Sequence, residues 1–165
     1  AQVISQVRNL TSLGTININT NAGYYEGIKK IVDAGLDTMR VSLISPRPSI
    51  YNVYYRPKGY SLEQVSASLK YAAAKGVYTS LNLLTFPGVT DREEEVEALL
   101  KFVTENQVKL IQIRNLNIDP DVYLKAIPPA EGEVLGITKF LEILKEELPG
   151  VEIGNYSRPK PVISR

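Results

Sequence analysis

Four side chains able to bind or do chemistry stand where a buried strand should be apolar. They are Arg40 and Ser42 in TMRVSLIS (38–45), Asn82 in VYTSLNLLTF (77–86) and Arg114 in KLIQIRNL (109–116). Each is a binding group. A guanidinium fork matches the two oxygens of a carboxylate, and an asparagine amide offers both a donor and an acceptor. The usual catalytic side chains are missing: the chain has no cysteine and no histidine. That excludes a thiol nucleophile, a disulfide, a thiolate ligand, an imidazole base and the usual zinc ligand. Catalysis by this chain alone would rest on carboxylates, lysines, tyrosines or a bound cofactor.

The elements that must position these residues alternate between strand and helix. TININTN (15–21) reads as a strand and YYEGIKKIVDA (24–34) as a helix ended by Gly35. The strand at 38–45 is followed by a long connection, PRPSIYNVYYRPKGY (46–60). Ser61 to Gln64 is a capping box opening a helix that runs to Lys75, with Tyr60 and Val65 as its staple. After the strand at 77–86, Pro87-Gly88 turns the chain, and Thr90 to Glu93 reads as a second capping box. Val96, Leu99, Leu100 and Val103 give the next helix an apolar stripe. Beyond the strand at 109–116 lies a looser stretch, then a helix, ITKFLEILKEEL (137–148), and a short strand, VEIG (151–154). The tail RPKPVISR reads as extended. The pattern predicts one α/β domain over 1–150, with about four parallel strands and helices on the outer face; 151–165 is a short strand and tail.

Side chains alternate across a strand, so each strand divides into two faces. Ile16 and Ile18 oppose Thr15, Asn17 and Asn19; Met39, Val41 and Leu43 oppose Arg40, Ser42 and Ile44. Leu81 and Leu83 oppose Ser80, Asn82 and Leu84, and Ile111 and Ile113 oppose Gln112 and Arg114. Parallel strands covered on both faces normally read as continuous apolar runs. Here helices can cover only one face, and the other must meet water, further protein or a polar ligand. Leaving Arg40 or Arg114 buried without a partner would cost several kcal/mol, about the penalty of a buried ion. Against a ligand role stand, for Ser42 and Asn82, an internal hydrogen bond to a side chain of a neighbouring strand and, for Arg114, an ion pair with Asp119 or a glutamate.

The connection at 46–60 interleaves Arg47, Arg56 and Lys58 with Tyr51, Tyr54, Tyr55 and Tyr60. It leaves the C-terminal end of a strand, where the active-site loops of (β/α) barrels sit. Arg47, Tyr54, Tyr55 and Arg56 are therefore candidate substrate-loop residues; the alternative is a self-packed loop whose tyrosines cover the mouth. The acidic run of Asp91, Glu93, Glu94, Glu95 and Glu97 reads as helix N-terminal charge and a solvated face. Net charge is +1, which gives no case for nucleic acid or an anionic membrane. No apolar run approaches the roughly 20 residues of a membrane helix.

In order and spacing, TININTNAGYYEGI, AGLDTMRVSLIS, LNLLTFPGVTDREEEVEALLKF and LIQIRNLNID resemble the second half of a radical S-adenosylmethionine (SAM) enzyme, over roughly residues 10 to 120. The resemblance implies a partial TIM-barrel, in which this chain supplies the third to sixth strands. It also implies a SAM site on the inner face. Arg40, Ser42 and Asn82 would then lie near the ribose or the methionyl carboxylate, and Arg114, Asn115 and Leu116 near the adenine. The family's cysteine motif, C-x-x-x-C-x-x-C, and its Gly-Gly-Glu type motif are both missing. The expectation is a cytoplasmic fragment of a longer enzyme. The intact parent would bind SAM and a 4Fe-4S cluster and act on a small molecule or peptide through a 5′-deoxyadenosyl radical, and the segment alone would be inactive. Two alternatives stay open. One is a natural half-barrel without a cluster, acting as an interaction module through its open sheet edges, for instance as an edge-strand homodimer. The other is a piece of an unrelated TIM-barrel enzyme.

Overall fold

The computed structural model describes residues 1–154. Its centre is one open sheet of five parallel strands in chain order: β1 (Asn17–Thr20), β2 (Thr38–Leu43), β3 (Tyr78–Thr85), β4 (Leu110–Asn115) and β5 (Glu152–Gly154). The helices are α1 (Gln2–Leu10), α2 (Tyr25–Asp33), α3 (Pro48–Tyr55), α4 (Leu62–Ala74), α5 (Glu93–Glu105), α6 (Pro120–Ala126) and α7 (Ile137–Glu147). This is an α/β fold and an incomplete barrel. The short strand after Gly150 joins the same sheet, making five strands where four were expected.

Met39, Val41, Leu43, Leu81, Leu83 and Ile111 project from one face into a single core. Val32 of α2, Leu69 of α4, Leu99 of α5 and Leu144 of α7 fill it from the other side. Burying a Leu side chain in this way contributes about 1.5–3 kcal/mol, so the apolar parity of the strands fixes which face the helices take.

Three helices were not foreseen. α1 docks through Arg8, which pairs with Asp37 and donates from Nε to the Gly35 carbonyl at 3.0 Å. Asp37 Oδ2 also accepts the Ile16 N–H at 2.7 Å, which fixes the start of β1. α3 replaces half of the expected long connection. Pro48 occupies its first turn, and Arg56 closes it in the left-handed conformation at φ 45°. α6 starts at Asp119, whose side chain accepts the N–H groups of Asp121 and Val122.

The first capping box forms as expected, with the Ser61 N–H donating to Gln64 Oε1 at 3.0 Å. The second does not. α5 begins at Glu93, and the Thr90 hydroxyl instead accepts the Phe86 N–H at 2.9 Å. Asp91 accepts the Gly88 N–H at 2.6 Å, so residues 86–91 close into a turn of their own before the helix starts. The expected tail RPKPVISR lies outside the described residues. No helix among the described residues is long and apolar enough to cross a membrane.

Candidate ligand-binding face

Strand register aligns the polar side chains into rows on the face away from α2, α4, α5 and α7. Asn19, Arg40, Ser80 and Leu110 form one row. Ser42, Asn82, Gln112 and Gly154 form the next. Leu84 and Arg114 follow towards the C-terminal ends of the strands. Asn115 lies in register with Thr85 and so belongs to the opposite face, apart from Arg114 and Leu116.

Ser42, Asn82 and Arg114 are half-buried, and their side chains make no hydrogen bond or ion pair among the described residues. Ser42 and Asn82 are register partners yet do not bond each other. Asp119 is committed to capping α6 and does not meet Arg114. Arg40 and Gln112 have partners within the protein, and Gln112 is fully buried. Below them, Thr38 Oγ1 donates to Asn17 Oδ1 at 2.7 Å, and Asn17 Nδ2 donates to Asn19 at 3.3 Å. The polar face is therefore satisfied at its N-terminal end and has unused groups in its middle.

At its C-terminal end the same face turns apolar. Ile44, Leu84, Phe86 and Leu116 continue the parity of Ser42, Asn82 and Arg114. They join a second cluster with Ile50, Val89 and Tyr123. Tyr54 lies 4.8 Å from Tyr55 and 6.3 Å from Tyr123, and Phe86 lies 5.2 Å from Tyr123, all edge-on. The candidate loop residues Tyr54 and Tyr55 thus pack against each other over the mouth. Burial, followed by the neighbouring tyrosines Tyr54 and Tyr51, pushes the Tyr55 phenol well above its ordinary range. Its hydroxyl is buried without a partner. Burial raises Tyr51 and Tyr123 in the same way.

Arg47 is drawn elsewhere. Its Nη1 meets Glu95 at 3.2 Å and Glu94 at 3.5 Å, and its Nη2 reaches Glu131 at 3.5 Å. Glu95 also accepts the Ser45 hydroxyl at 2.7 Å. Glu94 accepts the N–H groups of Glu131 and Gly132, and Arg92 donates to the Gly132 carbonyl at 2.7 Å. The acidic run is therefore only partly a solvated face: Asp91 and Glu95 are buried, Glu95 ties the start of α5 to Ser45 and Arg47 after β2, and Glu94 ties it to residues 131–132. A cavity of about 410 Å³ lies beside this network, lined by Arg47, Arg92, Leu124 and Pro128 among others. Arg56 is exposed at the end of α3.

The turn after β1 closes the other side of the mouth. Ala22 is held at φ 54°, its N–H donating to Thr20 Oγ1 and its carbonyl accepting the Ser68 hydroxyl at 2.8 Å. Gly23 lies so close to the Tyr60 ring that a Cβ there would fall 2.3 Å from it.

The family model for the radical SAM superfamily matches residues 3–103. The chain belongs to the radical SAM superfamily. No curated protein matches the sequence. Among solved structures, a radical SAM methyltransferase from Sphaerobacter thermophilus is 20% identical with a TM-score of 0.60, matching 89% of this chain and 42% of its own. A domain of pyruvate-formate lyase-activating enzyme from Bacteroides vulgatus is 11% identical with a TM-score of 0.64, matching 94% of this chain and 88% of its own. SuiB of Streptococcus suis, in a structure bound to S-adenosylmethionine, is 14% identical with a TM-score of 0.57, matching 86% of this chain and 32% of its own. The chain thus spans about two fifths of the methyltransferase's length and a third of SuiB's. These likenesses give the fold, a partial radical SAM barrel. The iron–sulfur cluster of the family does not fit this chain. It has no cysteine, and no group of three potential metal ligands occurs among the described residues.

Proposed function

We propose that this chain forms part of the SAM-binding wall of a radical SAM enzyme. The observation that carries the reading is the set of unused polar side chains at Ser42, Asn82 and Arg114 on a face that ends in an apolar, aromatic cap. SAM has matching chemistry along its length: a flat base, ribose hydroxyls and a zwitterionic methionyl end. Asn82 can donate to and accept from ribose hydroxyls, Ser42 can do either, and a guanidinium suits a carboxylate. The apolar cap to which Ile44, Phe86 and Tyr123 contribute offers surface on which a flat base could rest. Bound SAM would supply a 5′-deoxyadenosyl group. This chain's share is to hold and orient it and to keep water from the apolar end. The cluster ligands, the electron that drives cleavage and most of the substrate site belong to the intact, cytoplasmic parent.

The test uses the full gene product, reconstituted anaerobically with iron and sulfide and given SAM and a strong reductant. The reading predicts 5′-deoxyadenosine, lost or reduced at least ten-fold in Asn82→Ala and Ser42→Ala. A gene product without the cysteine trio that forms none would exclude radical chemistry.

A second reading, an interaction module, is favoured by a different observation. β1 is an edge strand of the sheet, and α1 before it in the chain exposes Val3, Val7 and Leu10, with Leu13 following. Pairing of two copies along β1 is the partner arrangement this surface supports.

A further inference from the structure

We infer that the Arg114 guanidinium is an anion receptor at the mouth of the polar face, and that a ligand bound there presents a carboxylate or phosphate to it. This rests on the reading of that face as a ligand-binding surface and adds the charge the ligand must carry. Arg114 is half-buried near the end of β4, with no hydrogen-bond or ion-pair partner among the described residues. The other half-buried arginines are committed: Arg8 to Asp37, Arg47 to Glu94 and Glu95, Arg92 to two backbone carbonyls, and Arg40 within the protein.

No acid on its own face offers Arg114 a partner. Leu84 lies beside it, Asn82 and Gln112 occupy the row below, and Leu116 lies beyond. The one carboxylate on that face among the described strands is Glu152. It is in register with Leu110, about 13 Å down the strand, and accepts the Tyr78 hydroxyl. Acids from neighbouring segments are also committed. Asp119 caps α6, Glu95 holds Ser45 and Arg47, and Glu94 accepts two backbone amides.

A guanidinium flanked by leucines is partly desolvated, which penalises it alone and strengthens its attraction for an incoming anion. The planar fork favours a two-oxygen acceptor over a halide or a neutral carbonyl. Two sources could provide that acceptor, SAM's own carboxylate or a separate anionic substrate, and they separate experimentally.

The experiment is titration calorimetry of the wild-type chain, Arg114→Gln and Arg114→Lys with three probes. These are inorganic pyrophosphate, SAM, and the SAM analogue in which a propylamine replaces the carboxylate-bearing end. The thermal midpoint of each variant is measured alongside. The inference predicts an unchanged or raised midpoint in Arg114→Gln, because no partner is lost. It also predicts about ten-fold weaker binding of pyrophosphate, of SAM or of both, with Arg114→Lys intermediate. If SAM weakens and the carboxylate-free analogue does not, the anion is SAM's own carboxylate. If pyrophosphate weakens and SAM does not, the anion belongs to a second ligand. The inference is overturned if neither pyrophosphate nor SAM binding changes in Arg114→Gln, or if the midpoint falls and all three probes weaken together. Wild type that binds pyrophosphate through Arg114 but not SAM would sink the SAM reading and leave the receptor standing.

Discussion

Glu95 allows a sharp test of what holds the mouth of the sheet together. Its side chain is 4% exposed and sits in the first turn of α5. Oε2 accepts the Ser45 hydroxyl at 2.7 Å, and Oε1 accepts Arg47 at 3.2 Å. Burial nevertheless pushes its pKa above the ordinary 4.5, with Ser45 and Arg47 offsetting that only in part. The charge therefore loses more on desolvation than its partners return. A neutral isostere of the same shape should lose little, since the Gln oxygen still accepts from Ser45. Glu95→Gln should cost about 1 kcal/mol or less, whereas Glu95→Ala should cost about 3–4 kcal/mol by orphaning Ser45 and Arg47 beside a void. The pH dependence has a definite sign. An acid whose folded pKa lies above its unfolded value binds more protons when folded. Its contribution is fully present below about 4.5 and is lost as pH rises through the folded pKa. Glu94, held low by its own N–H and those of Glu131 and Gly132 against its desolvation, acts in the opposite sense. The quantity to follow is accordingly the difference between Glu95→Gln and wild type. Urea unfolding monitored by circular dichroism from pH 4 to 7.5 should show this difference moving in favour of the variant as pH rises. A penalty of about 3 kcal/mol or more that grows with pH would refute the argument and make the Arg47 ion pair dominant.

Gly23→Ala places a methyl against the Tyr60 ring and should lower stability by about 1–3 kcal/mol, read from the urea midpoint. Tyr55→Phe deletes a buried hydroxyl that has no partner, so denaturation should show it neutral or up to about 1 kcal/mol more stable. Val7→Glu with Leu10→Glu charges the exposed stripe of α1 and should leave the fold unchanged. If copies pair along β1, light scattering should show the dimer of the wild-type chain weakened by this pair of changes; a wild type that stays monomeric at high concentration would exclude the pairing.

Period-two alternation made the sheet legible, because one face of every strand packs on helices and must be apolar. Met39, Val41 and Leu43 against Arg40 and Ser42 display it most clearly. The capping box at Ser61 was legible because its two partners are three residues apart. Thr90 carried the same local signature and misled, because its hydroxyl was recruited by the Phe86 N–H within a turn. α3 was hidden by its proline, the prolines on either side of it and its tyrosines, although Pro48 at the first turn and Ile50, Tyr51, Tyr54 and Tyr55 at helical spacing are its signal. α6 carried the pair Asp119-Pro120, a cap followed by a first-turn proline. The Arg47 network was beyond sequence reading, since its partners lie 47 and more residues away. For the same reason the burial of Glu95 could not be read from an acidic run. The middle of the polar face was legible in Ser42, Asn82 and Arg114. Its apolar end was not, because it is assembled by α3 and α6.

The central claim is that SAM lies along the unused middle of the polar face. Amide chemical-shift mapping of the chain titrated with SAM up to millimolar concentration tests it most directly. The account predicts the largest shifts in the rows of Ser42, Asn82 and Arg114, and their loss in Asn82→Ala at unchanged stability. Shifts confined to the cavity beside Arg47 and Leu124, or no shifts at all, would contradict it.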